Sequence, residues 1–205
     1  MNMHTSPAKR GPKPNIKTRE NIILAGVKLL HEAGFAATGV QEIVNAAGVP
    51  KGSFYNHFAS KEDFGREVVE FYFTSGVPVL REILADPQIP PLDRMRNYFE
   101  QRIQAFKQTD FIKGCLMGNM SLEIADHSGP IRDTIAANFR EWSMMFENCV
   151  AEAQKSGAVQ NPMPSSVLAQ FILNSWEGAL LRMRVEKNDQ PLRDFCVVVF
   201  SSLLI

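Results

Sequence analysis

The stretch GVPKGSFYNHFASKE, Gly48 to Glu62, decides the fold. It sets Lys51, Ser53, Tyr55, Asn56 and His57 around two apolar positions, Phe54 and Phe58, four residues apart as on one face of a helix. A helix of about eight residues is marginal by itself, so its neighbours have to hold it in place. If they bury Phe54 and Phe58, the polar face of the segment points outward.

The residues on either side supply those neighbours. Upstream, Val40, Ile43, Val44 and Ala47 fall at i, i+3, i+4 and i+7, the spacing of a short amphipathic helix. Thr38 is placed to cap it and Gly48 to close it. Only Val49 and Pro50 separate it from the next helix, and proline is favoured in a first helical turn. Two short helices joined by a tight glycine-containing turn make a helix-turn-helix unit. Before them, Ile22, Gly26, Leu29 and Ala33, with Ile23 and Leu30 beside them, predict a first helix from near Lys17, ended by Gly34. After them, Ser60 is an N-cap with Glu62 and Asp63 in the first turn, and a long helix is expected to about Leu84.

Prolines 87, 90 and 91 then interrupt the chain, and further helices are expected over 92–108, 116–126, 131–156, 165–186 and 191–203. The stripe Ile135, Phe139, Trp142, Phe146, Cys149 or Val150, and Ala153 carries the third of these helices. The final FCVVVFSSLLI has the composition of a strand as well as of a helix. A lone strand among helices has no partner, so a helix is expected, buried all round or between subunits. The fold class is all-α.

Composition excludes several functions. The 205 residues are 45% apolar and 21% charged, an ordinary globular balance, with no run near the 18 apolar residues of a membrane span. The leader MNMHTSPAKRGPKPN is polar and basic, without the apolar core of a signal peptide, so a disordered arm over 1–15 and a cytoplasmic protein are expected. Cys115, Cys149 and Cys196 form no CxxC pair, and the four histidines show no ligand spacing, so neither disulfide, metal nor cofactor is expected. No GxSxG, HExxH or phosphate loop is present, and no enzyme is expected. Net charge is zero, yet residues 1–66 carry nine basic and five acidic side chains, and 67–205 carry thirteen and seventeen. A basic front end on an acidic body suits a polyanion-binding domain joined to a second domain.

With these elements in place, TRENIILAGVKLLHEAGFAATGVQEIVNAAGVPKGSFYNHFASKEDF, Thr18 to Phe64, resembles the DNA-binding domain of the TetR family of bacterial transcriptional regulators. The resemblance implies a three-helix DNA-binding domain over 16–62 and a larger helical effector-binding and dimerisation domain over 63–205. It implies phosphate contacts from Lys51, Tyr55 and His57, and base contacts near Gly52, Ser53 and Asn56. Thr38 and Gln41, at the start of helix two, and Pro50 would adjoin the DNA backbone, Lys61 would reach flanking phosphates, and the arm an adjacent groove. Gly39 and Pro50 depart from the family, where Ser or Thr is common at both places. The partners implied are a double-stranded, near-palindromic operator, a second copy of the chain and a small-molecule effector, with no membrane.

A second stretch, FIKGCLMGNMSLEIAD, Phe111 to Asp126, resembles the branch with N-ethylmaleimide- and acrylate-responsive repressors, which implies Cys115 as a sensor. Reactivity needs a thiolate, favoured by a helix N-terminus or by Lys113, and the other reading is a small buried residue packed between glycines. Sensing is thus covalent at Cys115, or reversible in a pocket between helices. Asn119, Glu123, Trp142, Trp176 and Arg182 are candidate pocket residues, although the two tryptophans are expected first in the core or an interface, which large aromatics dominate. Glu177, within a mostly apolar helix, is expected in a salt bridge, and Cys149 and Cys196 in the core.

Overall fold

A computed structural model describes residues 15–205, so the expected arm lies, but for Asn15, outside the described residues. The first helix, α1 (Ile16–Ala33), begins where the Asn15 side chain accepts from Lys17 N–H at 3.0 Å and ends at Gly34. Next come α2 (Val40–Ala46), α3 (Lys51–Tyr55) and α4 (Lys61–Leu84), the last capped by Ser60 Oγ accepting from Asp63 N–H at 3.0 Å. Gly48 turns the chain between α2 and α3 at φ +68°, a conformation that costs a side-chain-bearing residue energy.

Two details of this unit differ from the sequence expectation. The recognition segment has only five helical residues, with Asn56 as its C-cap. Gly39, not Thr38, is the N-cap of α2, and Thr38 is fully buried with its hydroxyl donating to Gly34 O at 2.6 Å. Its side chain is therefore turned away from any phosphate. What holds so short a helix is aromatic packing. Phe54, Phe58 and Phe64 are all at most 1% exposed, with ring centroids 5.1–5.2 Å apart pairwise. Such pairs are worth roughly 0.5–1.5 kcal/mol each beyond the apolar area they bury.

Beyond α4 lie α5 (Pro91–Lys107), α6 (Leu116–Ile124), α7 (Gly129–Lys155), α8 (Ser165–Glu186) and α9 (Gln190–Val198), which runs on into a π-helical turn, Val199–Leu203. No strand occurs among the described residues, and none of their helices is long and apolar enough to cross a membrane. The core of these helices is aromatic: Phe99 meets Trp176 at 4.8 Å, Phe195 at 4.9 Å and Phe146 at 5.4 Å. Trp176, 1% exposed, belongs to that core and lines none of the cavities described below, so its place as a pocket residue is corrected. Arg94 ties α5 to its neighbours, its guanidinium reaching Glu152 at 2.7 Å and the Leu84 and Ile89 carbonyls.

The C-terminal segment is helical but not buried all round. Phe195, Val199, Phe200 and Leu204 pack inward, while Val197 and Val198 are 62% and 55% exposed. On α8 the exposed Val167, Phe171, Leu181 and Val185 share one face, alternately four and three residues apart if Asn174 and Gly178 are counted. The two helices thus present an apolar surface to solvent.

Candidate nucleic-acid interface and effector cavities

The polar residues of the opening stretch come together on one side. With Phe54 and Phe58 held inward, Lys51, Gly52 and Asn56 are exposed, Tyr55 is 57% exposed, and Ser53 and His57 are half-buried. Exposed Pro50 is the N-cap of α3, and exposed Gln41 donates to Asn45 Oδ1 at 2.9 Å on the adjoining helix. Partial burial and then the charge of Arg19 hold the His57 pKa below its ordinary value, so the ring donates from one nitrogen only near neutrality. Lys61 is different. Its ammonium donates to Ala36 O at 3.4 Å and lies 4.5 Å above the Phe35 ring, so it braces the loop between α1 and α2.

That loop is also one of the places where the first helices meet the later ones. Glu123, near the end of α6, accepts from Phe35 N–H at 2.9 Å and Ala36 N–H at 2.6 Å. The other end of α6 is tied as well, because His31 Nε2 donates to Gly114 O at 3.2 Å. His31 is buried, its ring edge-on to Tyr72 at 5.3 Å, and burial pushes its pKa down to about 4, so it stays neutral. Glu123 is thus a clamp on backbone amides and not a free pocket group. Neither residue was marked for this role by sequence; the only hint for His31 is its place on the buried face of α1.

Cys115 is the N-cap of α6, its sulfur accepting from Gly118 N–H at 3.5 Å. It is 5% exposed, and burial, reinforced by the neighbouring Glu177 carboxylate, pushes the thiol well above its usual pKa. Near neutral pH the proton stays on sulfur. Glu177 makes no salt bridge; it lies against Gly118 and Cys115, and its Oε1 is buried without a hydrogen-bond partner. Burial raises its pKa to about 7. Cys149, fully buried, donates to Leu84 O at 3.3 Å, whereas Cys196 is only half-buried.

Three concavities have α6 residues in their walls. One of about 810 Å³ lies between α6, α7 and α8 and contains Glu177. A second, about 380 Å³, lies between α4, α5 and α7 and is lined by Tyr72, Tyr98, Arg102 and Trp142, whose Nε1 is buried and unpartnered. Asn119 and Glu123 line a third, shallow one against α1. The sequence candidates are therefore dispersed: Trp142 enters one cavity, Asn119 another, and exposed Arg182 pairs with Glu186 on the surface. Among the described residues, no three His, Cys, Asp or Glu side chains are grouped as metal ligands.

Comparison with known proteins bears on this arrangement. Residues 22–68 match the family model of bacterial regulatory proteins of the tetR family, and residues 91–199 match that of a tetracyclin repressor-like C-terminal domain. The chain is 38% identical over 186 residues to the HTH-type transcriptional repressor DhaR of Mycobacterium sp. strain GP1, covering 91% of this chain and 92% of that one. Among solved structures, a regulatory protein TetR from Rhodobacter sphaeroides superimposes with a TM-score of 0.85 at 32% identity, covering 90% of this chain and 97% of the other. The reduced form of Escherichia coli NemR does so with a TM-score of 0.84 at 28% identity, covering 90% and 95%.

Proposed function

This chain belongs to the TetR family of bacterial transcriptional regulators, and from that premise we propose how it binds DNA, pairs and senses. It is a DNA-binding repressor and not an enzyme. Residues 16–62 form the DNA-binding unit and 63–205 the sensing and pairing unit of a cytoplasmic homodimer, in which the apolar face of α8 and α9 meets its copy. The observation that carries the DNA reading is the outward face of α3, set on the buried Phe54–Phe58–Phe64 cluster. A major groove admits such a helix, and two of them in a dimer meet successive grooves of a near-palindromic operator. Lys51, Tyr55 and His57 contact phosphates; Gly52 lets the backbone approach the groove floor beside Ser53; Asn56 offers the paired donor and acceptor that adenine needs. Pro50 and Gln41 adjoin the backbone.

DNA from upstream of the chain's own gene, titrated against random duplex, tests this reading. Lys51→Ala weakens binding to both and lowers the salt slope by about one, whereas Asn56→Ala relaxes base preference by about 1–3 kcal/mol. Equal losses on both DNAs for both variants would refute the assignment.

Sensing is by reversible binding of a small molecule among the C-terminal helices, which shifts the population away from the DNA-binding form. The protonated, buried state of Cys115 supports this mode over covalent capture. Release of DNA by a soft electrophile from the wild type, with a Cys115→Ser variant resistant, would reverse the choice.

A further inference from the structure

Among the described residues, the carboxyl of Glu177 is one of three buried side-chain groups with an atom that lacks a hydrogen-bond partner. It stands on α8 beside the core residue Trp176, with Oε1 buried and unpartnered. Among the described residues no cationic side chain stabilises its charge; burial and the Cys115 thiol are the two influences on it. A buried carboxylate whose one side-chain donor is a weak thiol is costly, so its place among apolar neighbours calls for an explanation. The surroundings are shaped to admit it: a Cβ on Gly118 of α6 would lie 2.4 Å from Glu177 Oε2, inside contact distance. Glu177 also borders the cavity of about 810 Å³, whose apolar walls include Leu122, Phe139, Leu173 and Leu181. A concave apolar site with one placed polar group is the form of a small-molecule pocket.

We infer that this cavity binds a small amphipathic cation, a protonated amine on an apolar body, with Glu177 accepting its N–H. With the Glu177 carboxyl turned towards the cavity, an ammonium supplies the donor that Oε1 lacks and favours the ionised carboxylate, as a charge-assisted hydrogen bond does. The other charged groups at the cavity, Arg140 and Glu147 on α7, are opposite in sign and leave its mouth without net charge. The site is linked to DNA by α6 itself. Gly118, Ser121 and Leu122 form one wall of the cavity, and the next residue, Glu123, holds the Phe35 and Ala36 amides of the DNA-binding unit. An occupant that moves α6 therefore moves the loop before α2. The consequence for DNA rests on the regulator reading above; the ligand chemistry does not.

Three probes with the same tail test the inference on the full chain: octylamine, octan-1-ol and octanoate, by titration calorimetry at neutral pH. Octylamine is expected to bind at least tenfold more tightly than the other two. Glu177→Gln, which keeps the shape and removes the charge, brings octylamine to within about threefold of octan-1-ol. Leu122→Trp, at an exposed position of the cavity wall, weakens all probes. Unchanged octylamine affinity in Glu177→Gln overturns the inference. So does a preference for octanoate, which Arg102 in the smaller cavity would explain. DNA anisotropy in parallel separates the two readings. Specific DNA binding with no octylamine binding sinks the cation site alone, and octylamine binding without specific DNA binding sinks the regulator reading alone. Octylamine bound at Glu177 with DNA retained overturns the link through α6.

Discussion

The segments Gly48–Glu62 and Phe111–Asp126 are the two most distinctive in the sequence, and the fold treats them in opposite ways. The first turns its polar residues out: two phenylalanines are buried and Lys51, Tyr55 and Asn56 are left facing solvent. The second turns inward, burying Cys115, Leu116, Met117 and Met120, while Glu123 reaches across to the other half of the chain. An outward site is written in one local pattern, since a helix period alone separates buried from exposed positions. An inward site depends on partners distant in sequence. Glu177, which reinforces the effect of burial on the Cys115 thiol, is supplied by a helix two elements later.

The contrast can be broken at several points. The largest effect is expected from Phe58→Ala. If the aromatic cluster alone supports the outward face, this variant loses about 3–5 kcal/mol of stability in thermal or denaturant unfolding. A loss under 1 kcal/mol would mean that α3 is held by something else.

Next is Glu177→Gln. The carboxyl's folded pKa of about 7 stands above the ordinary 4.5. Between those values the unfolded chain releases a proton that the native state keeps, so stability falls as pH rises through the window. The charge-free variant should therefore be more stable than the wild type at pH 8, by at most about 3 kcal/mol, with the gain shrinking towards zero as pH falls to 4.5. A pH-independent difference would remove the inward carboxyl as its cause.

The smallest effect on stability, but the most informative about coupling, is expected from Glu123→Ala. Two charge-assisted bonds are lost at a half-exposed position, for a cost of about 1–2 kcal/mol. Hydrogen exchange at the Phe35 and Ala36 amides should accelerate, while exchange in the cores of α7 and α8 should not. Uniform acceleration would show a general loss of stability in place of a broken joint.

Much of the architecture follows from local punctuation. Gly34, Gly48, Ser60 and the prolines at 90, 91 and 130 mark helix ends within a residue or two of where they stand, because caps and backbone restrictions act locally. The failures share a cause. Thr38 is a good cap by residue type, but tertiary packing buries it one position before the actual N-cap. Trp176 has the size and polarity of a pocket residue, yet a ring of phenylalanines claims it for the core. Glu177 suggested an ion pair because a buried carboxylate normally needs one, and only the packed helices reveal that none is within reach. The valines of α9 read as buried, yet Val197 and Val198 face solvent, because the β-branched run carries no sign of which side packs on the core.

The clamp at Glu123 has a consequence for how this protein varies. Its acceptors meet main-chain amides, which nearly every amino acid provides, so residues 35 and 36 are free to change without loosening the joint. Selection on the joint falls on the carboxylate alone, with no matching partner substitution. Pairs of positions that change together would therefore leave this hinge between the two halves unmarked, and variation at Glu123 itself is the place where altered communication between them should first be seen.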